Sequence, residues 1–499
     1  MFTRKYKILL VIFVVFSAIF FFISKNIGNQ NLILIKNLIP QEIKQVLKKT
    51  LFIIPTLKNE NQRLNEYIKK IHKEKIRTAT YFAETWLKKN KEKSEIILDT
   101  QYFNDTVAIP GVERDIEEII TKNSVYELTR IYMPFPRQPG GGEVYNKAGA
   151  HIDIDRKNLI LALGASNFYF LSLADLKNPN IKIKEIKSNF TDLITSELWF
   201  ENSQLTITDI LVDNDNIYIA YTDADKQNCT GLFISKSKIN YEFLNFEKFW
   251  SSPPTQCSKA NMGHAGGRIK ILNDKMILTV GDIGTAENRK GKGFAASLDE
   301  KDFKGKIIEI DMNDKSYKFL TMGHRNPQGL FINKQPKLLI TTEHGPRGGD
   351  EVNIVKLDKK NNEIQNFGWP VSSYGEHYDR KFREWAPLHK SHSDYGFIEP
   401  IKYYTPSIAI SEVIKVDNKF NSDFNNDFFV GAMGNNILEF DMSIHHLRFD
   451  KNFKKIVFED IIVLNDRVRD MVQNKNEVLI YLEKAPSLGI LKFKREITN

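Results

Sequence analysis

Cysteine is nearly absent from this 499-residue chain, with Cys229 and Cys257 the only two. They form no Cys-x-x-Cys pair, so there is no cysteine-based metal signature. Basic charge is scarcer than the total suggests. The chain carries +9, yet residues 1–93 alone carry +13, which leaves −4 for residues 94–499. A mildly acidic main body gives no ground for nucleic-acid binding, which needs a basic surface on the folded domain. Long apolar runs are also few. Ile8–Ile23, interrupted only by Ser17, is short of the ~20 residues of a typical bilayer span. What remains is a composition of 41% hydrophobic and 11% aromatic residues, which suits a globular protein and excludes a disordered one.

Arg4, Lys5 and Lys7 precede the apolar run, the pattern of a secretory signal or signal-anchor. No small-x-small cleavage site follows it. The expectation is an uncleaved anchor over residues 1–24 with its basic flank in the cytoplasm, so the main domain is periplasmic or otherwise extracytoplasmic. Residues 25–99 form a basic juxtamembrane region. Within it, residues 58–93 lack glycine and proline and space Leu64, Ile68, Ile71, Ala79, Phe82 and Trp86 at helical intervals, which predicts a stalk helix. Lys75 and Thr78 interrupt any coiled-coil seam. Export makes a Cys229–Cys257 disulfide the expected state, with two buried thiols as the other reading.

Beyond residue 100 a unit repeats: an alternating strand, a polar turn, then a second apolar strand. Copies begin at 151, 207, 268, 329, 411 and 468, at spacings of 56, 61, 61, 82 and 57. One hairpin cannot bury its apolar face alone. Six hairpins at blade-sized intervals predict an all-β, six-bladed β-propeller over residues 100–499.

The loops between these strands hold the chemistry. His264 lies in Gly-His-Ala-Gly-Gly-Arg (263–268), where glycines allow close ligand approach. Asp282 ends the hairpin that His264 begins, so the carboxylate returns to orient the imidazole as a general base requires. Arg325, Asn326 and Gln328 surround Pro327 in Gly-His-Arg-Asn-Pro-Gln-Gly-Leu, and arginine suits bidentate contact with a planar anion. Arg467 and Arg469 share a strand face, which implies a multiply anionic ligand or a pair of surface salt bridges. In Glu-His-Gly-Pro-Arg-Gly-Gly-Asp-Glu-Val-Asn (343–353), the Gly345 and Pro346 carbonyls with Asp350 and Glu351 suit a hard cation such as Ca²⁺.

These motifs, followed by Phe-Gly-Trp-Pro at 367–370, resemble the glucose/sorbosone dehydrogenase family, soluble-type pyrroloquinoline quinone (PQQ)-dependent aldose dehydrogenases. The resemblance is strong over roughly 260–380, fainter over 150–260 and 400–499, and absent before residue 100. It implies a six-bladed propeller that oxidises a sugar with PQQ and Ca²⁺ and passes electrons to an acceptor the sequence does not name. It also implies roles. His264 would be the base at the sugar C1 hydroxyl, with Asp282 orienting it and Gln204 near the substrate. Arg325, Asn326 and Gln328 would line the quinone, and Arg467 and Arg469 would meet its carboxylates. Gly345 and Pro346, with Glu351 nearby, would hold Ca²⁺. The chain departs from the family at Gly434, where members carry a cofactor-binding lysine, at Thr405, and at Thr206. Two other functions fit the same face: a non-catalytic propeller that binds a carbohydrate or protein partner, and a metal-dependent hydrolase or lactonase.

Overall fold

A computed structural model describes residues 107–108, 114–133 and 149–497, apart from 165, 179–180, 200–201, 203, 226–228, 255, 258–261, 284–295, 359–363, 435–441 and 485. The expected anchor and stalk lie outside the described residues. Among the described residues no helix is long and apolar enough to cross a membrane.

Six mainly antiparallel sheets follow one another along the chain, with short parallel edge pairs in two of them. Blade 1 starts with Ala150–Asp155 and Asn158–Leu163, and blade 2 with Ile207–Asp213 and Asn216–Ala224. Blade 3 starts with Gly266–Leu272 and Lys275–Val280, and blade 4 with Pro327–Asn333 and Leu338–Glu343. Blade 5 starts with Ile410–Val416 and Asp427–Ala432, and blade 6 with Val468–Asn474 and Glu477–Leu482. The six repeats read from the sequence are thus the two inner strands of each blade. Neighbouring innermost strands touch all the way round, and the last touches the first, so the ring is closed.

The closure uses a strand that the repeat did not predict. Ser124–Tyr132 precedes the first repeat, yet it pairs antiparallel with the last strand, Ser487–Glu496. Arg114–Ile120 then adds an outermost strand to the same blade. Joining the two ends of the domain in one sheet converts an open row of blades into a ring without an unpaired seam.

The core lies between blades. Ile152, Leu161, Leu479 and Tyr481 fill the blade 6–blade 1 interface, and Ile340, Phe428 and Val430 fill the one between blades 4 and 5. Between blades 1 and 2 the rings of Phe168, Phe190, Trp199, Tyr221 and Phe246 meet, mostly edge to face. This geometry suits the ring quadrupoles.

In every blade but the first, the register of the innermost hairpin slips near its start, between Ile207 and Asp209, Gly266 and Ile269, Pro327 and Gly329, Ile410 and Val413, and Val468 and Asp470. A bulge re-aims the side chain it carries. Asp209, Arg268, Glu412 and Asp470 all occupy these slips and meet one another, as described below.

Cys229 stands opposite Cys257 where Cys229–Lys238 pairs with Gln256–Cys257. Cys229 is disulfide-bonded, and no free cysteine stands among the described residues.

Candidate functional site

His264 sits at the channel end of blade 3 with φ 61°, a left-handed conformation that is uncommon outside glycine. Neighbouring backbone holds it there. The His264 carbonyl accepts the Ile283 N–H at 3.3 Å, and a Cβ on Gly281 would overlap that same carbonyl. Gly267, at φ 98°, is equally constrained, because a side chain there would strike Thr208.

The imidazole is held at both nitrogens. Nδ1 lies 3.1 Å from Asp282 Oδ1, and Nε2 lies 3.1 Å from an Arg325 guanidinium nitrogen. Guanidinium can only donate, so Nε2 accepts and the proton belongs on Nδ1, facing Asp282. The ring is therefore set in the tautomer whose Nε2 lone pair is available. Asp282 is buried, and its second oxygen accepts the Trp369 indole N–H at 2.8 Å. Burial alone would raise the Asp282 carboxyl. The hydrogen bond from His264, with Arg325 and Trp369, outweighs it and holds the group below the usual carboxylate range.

Arg325 ties blades 3 and 4 together. Its backbone N–H donates to Glu343 Oε2 at 2.8 Å and its guanidinium to the His344 carbonyl at 3.1 Å, while Cζ lies 5.4 Å from the Trp369 ring centre. Burial pushes the His344 imidazole down to about 4 despite Asp350, and Arg325 adds to the effect, so this ring is neutral. The Asn326 side-chain oxygen accepts from Gly266 N at 3.3 Å and from Gln328 Nε2 at 2.9 Å. The Gln204 side chain accepts the Met262 N–H at 2.9 Å, linking blade 2 to the segment that leads into His264. The structure therefore brings Gln204, His264, Asp282, Arg325, Asn326 and Gln328 into one bonded neighbourhood.

Arg467 and Arg469 are also together, but around a residue that the sequence reading missed. Glu483 accepts from Arg469 Nε at 2.7 Å and lies 3.9 Å from Arg467 Nε. A lone glutamate in a turn gives no local signal of such a bridge. Arg467 also donates to the carbonyls of Met433 and Gly434. A cation therefore stands against the position where a lysine was expected.

Gly345 lies among carbonyls, since a Cβ there would overlap the oxygens of Gly348 and Gly349. Its N–H donates to Asp350 Oδ1 at 3.0 Å, and Asp350 also accepts from Ser407, Ile408 and Ile410. Asp350 is thus a loop tie. Glu351 is buried, 3.3 Å from His392 Nε2 and 3.1 Å from Asn353 Nδ2. Burial raises its carboxyl above the ordinary range. One cavity is lined by Arg325, Trp369, His344, Gly345, Glu351 and His392.

Trp369 is the other member that sequence reasoning flagged without a role. The signal was present in Phe-Gly-Trp-Pro, because a buried indole N–H needs an acceptor.

A family model described as Glucose / Sorbosone dehydrogenase matches residues 203–492. The aldose sugar dehydrogenase YliI of Escherichia coli is 26% identical over 293 residues, spanning 55% of this chain and 72% of its own length. Quinoprotein glucose dehydrogenase B of Acinetobacter calcoaceticus is 29% identical over 135 residues, 22% of this chain and 27% of that one. The crystal structure of the soluble aldose sugar dehydrogenase of Escherichia coli in its apo form superposes with a TM-score of 0.54 at 16% identity, covering 77% of this chain and 99% of that one. That superposition supports the propeller fold, and the match over residues 203–492 takes in His264, Asp282, Arg325 and the Arg467–Arg469 pair. On the strength of this match the chain belongs to the glucose/sorbosone dehydrogenase family.

Proposed function

We propose that this protein is a sugar dehydrogenase that oxidises the C1 position of an aldose or related sugar. The observation that carries this reading is the Asp282–His264–Arg325 arrangement, in which Nε2 is an acceptor on a ring fixed from both sides. His264 Nε2 takes the proton of the C1 hydroxyl, and Asp282 stabilises the imidazolium that results. Arg325 gives up its bond to Nε2 as the hydroxyl arrives and remains anchored through the His344 carbonyl. Gln204, joined to the His264 segment, lines the approach of the sugar.

PQQ, when bound with Ca²⁺, supplies the two-electron acceptor for the hydride that leaves C1. Several features of this chain fit that group. Arg325, Asn326 and Gln328 offer donors to an oxygen-rich ring, and Arg467 and Arg469 offer charge to carboxylates. Arg467, against the Met433 and Gly434 carbonyls, places a cation near the position of the family lysine. The carbonyl-rich surroundings of Gly345, with Pro346 and Glu351, suit a hard cation. Glu483 favours a second reading, because it neutralises part of the arginine pair that a cofactor would need. On that reading the face binds a carbohydrate or protein without turnover. The chain would be anchored through residues 1–24, with the propeller outside the cytoplasm and electrons passing to a separate acceptor.

The test is reconstitution of the full chain with PQQ, with and without Ca²⁺, followed by an aldose panel and an artificial electron acceptor. Saturable, Ca²⁺-dependent binding and sugar-dependent reduction of the acceptor are expected. Sugar binding without reduction at saturating PQQ would replace the dehydrogenase by the recognition surface.

A further inference from the structure

Arg268 is used by none of the steps above, yet it is one of the largest fully buried side chains of the protein. It leaves blade 3 at the register slip after Gly267 and enters the channel. There it meets every other blade. Its NH1 nitrogen lies 3.1 Å from His151 Nδ1 in blade 1 and 3.1 Å from Asp209 Oδ1 in blade 2. The same nitrogen is 2.8 Å from Glu412 Oε2 in blade 5 and 3.2 Å from Asp470 Oδ1 in blade 6. Nε donates to the Gln328 carbonyl of blade 4 at 2.7 Å, and NH2 donates to the Arg469 carbonyl at 3.2 Å.

The acids of this hub are themselves splinted across blades. Asp209 Oδ2 accepts the Ile269 N–H at 2.8 Å, and Asp470 Oδ2 accepts the Ile152 N–H at 2.8 Å. The ligand atoms of His151, Asp209 and Asp470 lie close enough together to suggest a metal. The guanidinium already stands within hydrogen-bond reach of all three, so a fixed organic cation takes the place an ion would need.

From this geometry we infer that Arg268 is a positioning residue for the site, acting through the Gln328 and Arg469 carbonyls. These are backbone atoms of two residues proposed to contact the cofactor, one from blade 4 and one from blade 6. A planar fork can hold both carbonyls at set angles while its third nitrogen balances the acids, which the point charge of lysine cannot do. Arg268 thereby fixes the distance across the channel between the Asn326–Gln328 loop and the Arg467–Arg469 strand. The inference rests on the dehydrogenase reading for its functional consequence, not for the placement itself.

The test compares the full-length wild type with Arg268→Lys, which keeps the charge and loses the fork. Two readouts are needed: peptide-level amide hydrogen exchange over residues 326–331 and 467–471, and turnover after reconstitution with PQQ and Ca²⁺. Faster exchange at both segments is expected, with the other blades protected as in wild type. A fall in kcat on the order of a hundredfold with little change in KM should accompany it, the scale of a misplaced reacting group. Should Arg268→Lys fail to fold, Asp209→Asn removes one acid of the hub and is read in the same way. Unchanged exchange at both segments, or a uniform rise through all six blades, would overturn the positioning role. A wild type without sugar oxidation sinks the dehydrogenase reading alone, because the exchange data still decide the placement.

Discussion

Asp282→Asn is the sharpest perturbation the site offers. The replacement keeps the shape and can still accept the Trp369 indole N–H, so packing around this buried position should survive. What changes is the partner of His264. A carboxylate oxygen accepts the Nδ1 proton at 3.1 Å, whereas the amide can present its NH2 group there instead. Donation from the amide would move the imidazole proton to Nε2, where the Arg325 guanidinium also donates. Two donors would then face each other, and the base would lose both its lone pair and the anion that stabilises its charged form. An equivalent aspartate-to-asparagine change in a histidine-based triad costs about 10⁴ in kcat. A loss of 10²–10⁴ is therefore the order expected here. The assay is steady-state sugar oxidation by the reconstituted full chain, with PQQ affinity measured alongside. A variant that keeps affinity, fold and more than about half its turnover would refute the assignment of Asp282 as the partner of a general base.

Four further outcomes follow from the packing and the charges. Gly281→Ala should destroy the His264 conformation, because its Cβ would overlap the His264 carbonyl; thermal unfolding should shift down sharply and activity should vanish. Leu128→Ala, in the strand that closes the ring and fully buried, should cost about 2–5 kcal/mol in urea unfolding, against near neutrality if the ring closed without that strand. Reducing the disulfide, or replacing Cys229 and Cys257 by serine, should remove about 3 kcal/mol, read from the same unfolding curves. Glu412 is pushed up to about 7, with burial outweighing Arg268 and Lys270. A raised carboxyl binds its proton more tightly in the fold than in the unfolded chain. Stability from this group is therefore full below the ordinary carboxyl range and falls as pH rises through about 7. Glu412→Gln should flatten that decline, which amounts to at most about 3 kcal/mol.

Much of the ring was legible because each inner hairpin carries its own signal. Ile269 and Ile271 alternate with polar neighbours, and then Met276–Val280 runs apolar against the next blade. The closing strand was not legible, since Ser-Val-Tyr-Glu-Leu-Thr-Arg-Ile-Tyr at 124–132 finds its partner only at 487–496. Pairing over such a separation leaves no local trace in either segment. The same contrast runs through the site. His264 and Asp282 end one hairpin, so their meeting followed from spacing and strand geometry. The Arg268 hub depends on side chains that come from different blades, and the Glu483 bridge on three charges of blade 6 that no local motif marks. Their composition gave no warning, because each residue alone resembles an ordinary surface charge. Gly434 was legible as a departure, but the presence of Arg467 against its carbonyl was not.

His264→Ala tests most directly the proposal that His264 is the base of a quinone-linked sugar oxidation. Wild type and variant would be loaded with PQQ and Ca²⁺, and the quinone absorbance followed after a single addition of aldose. Both proteins should bind the cofactor with similar affinity, and only the wild type should show rapid sugar-dependent bleaching. Equal bleaching rates in the two proteins, or none in the wild type with PQQ bound, would contradict it.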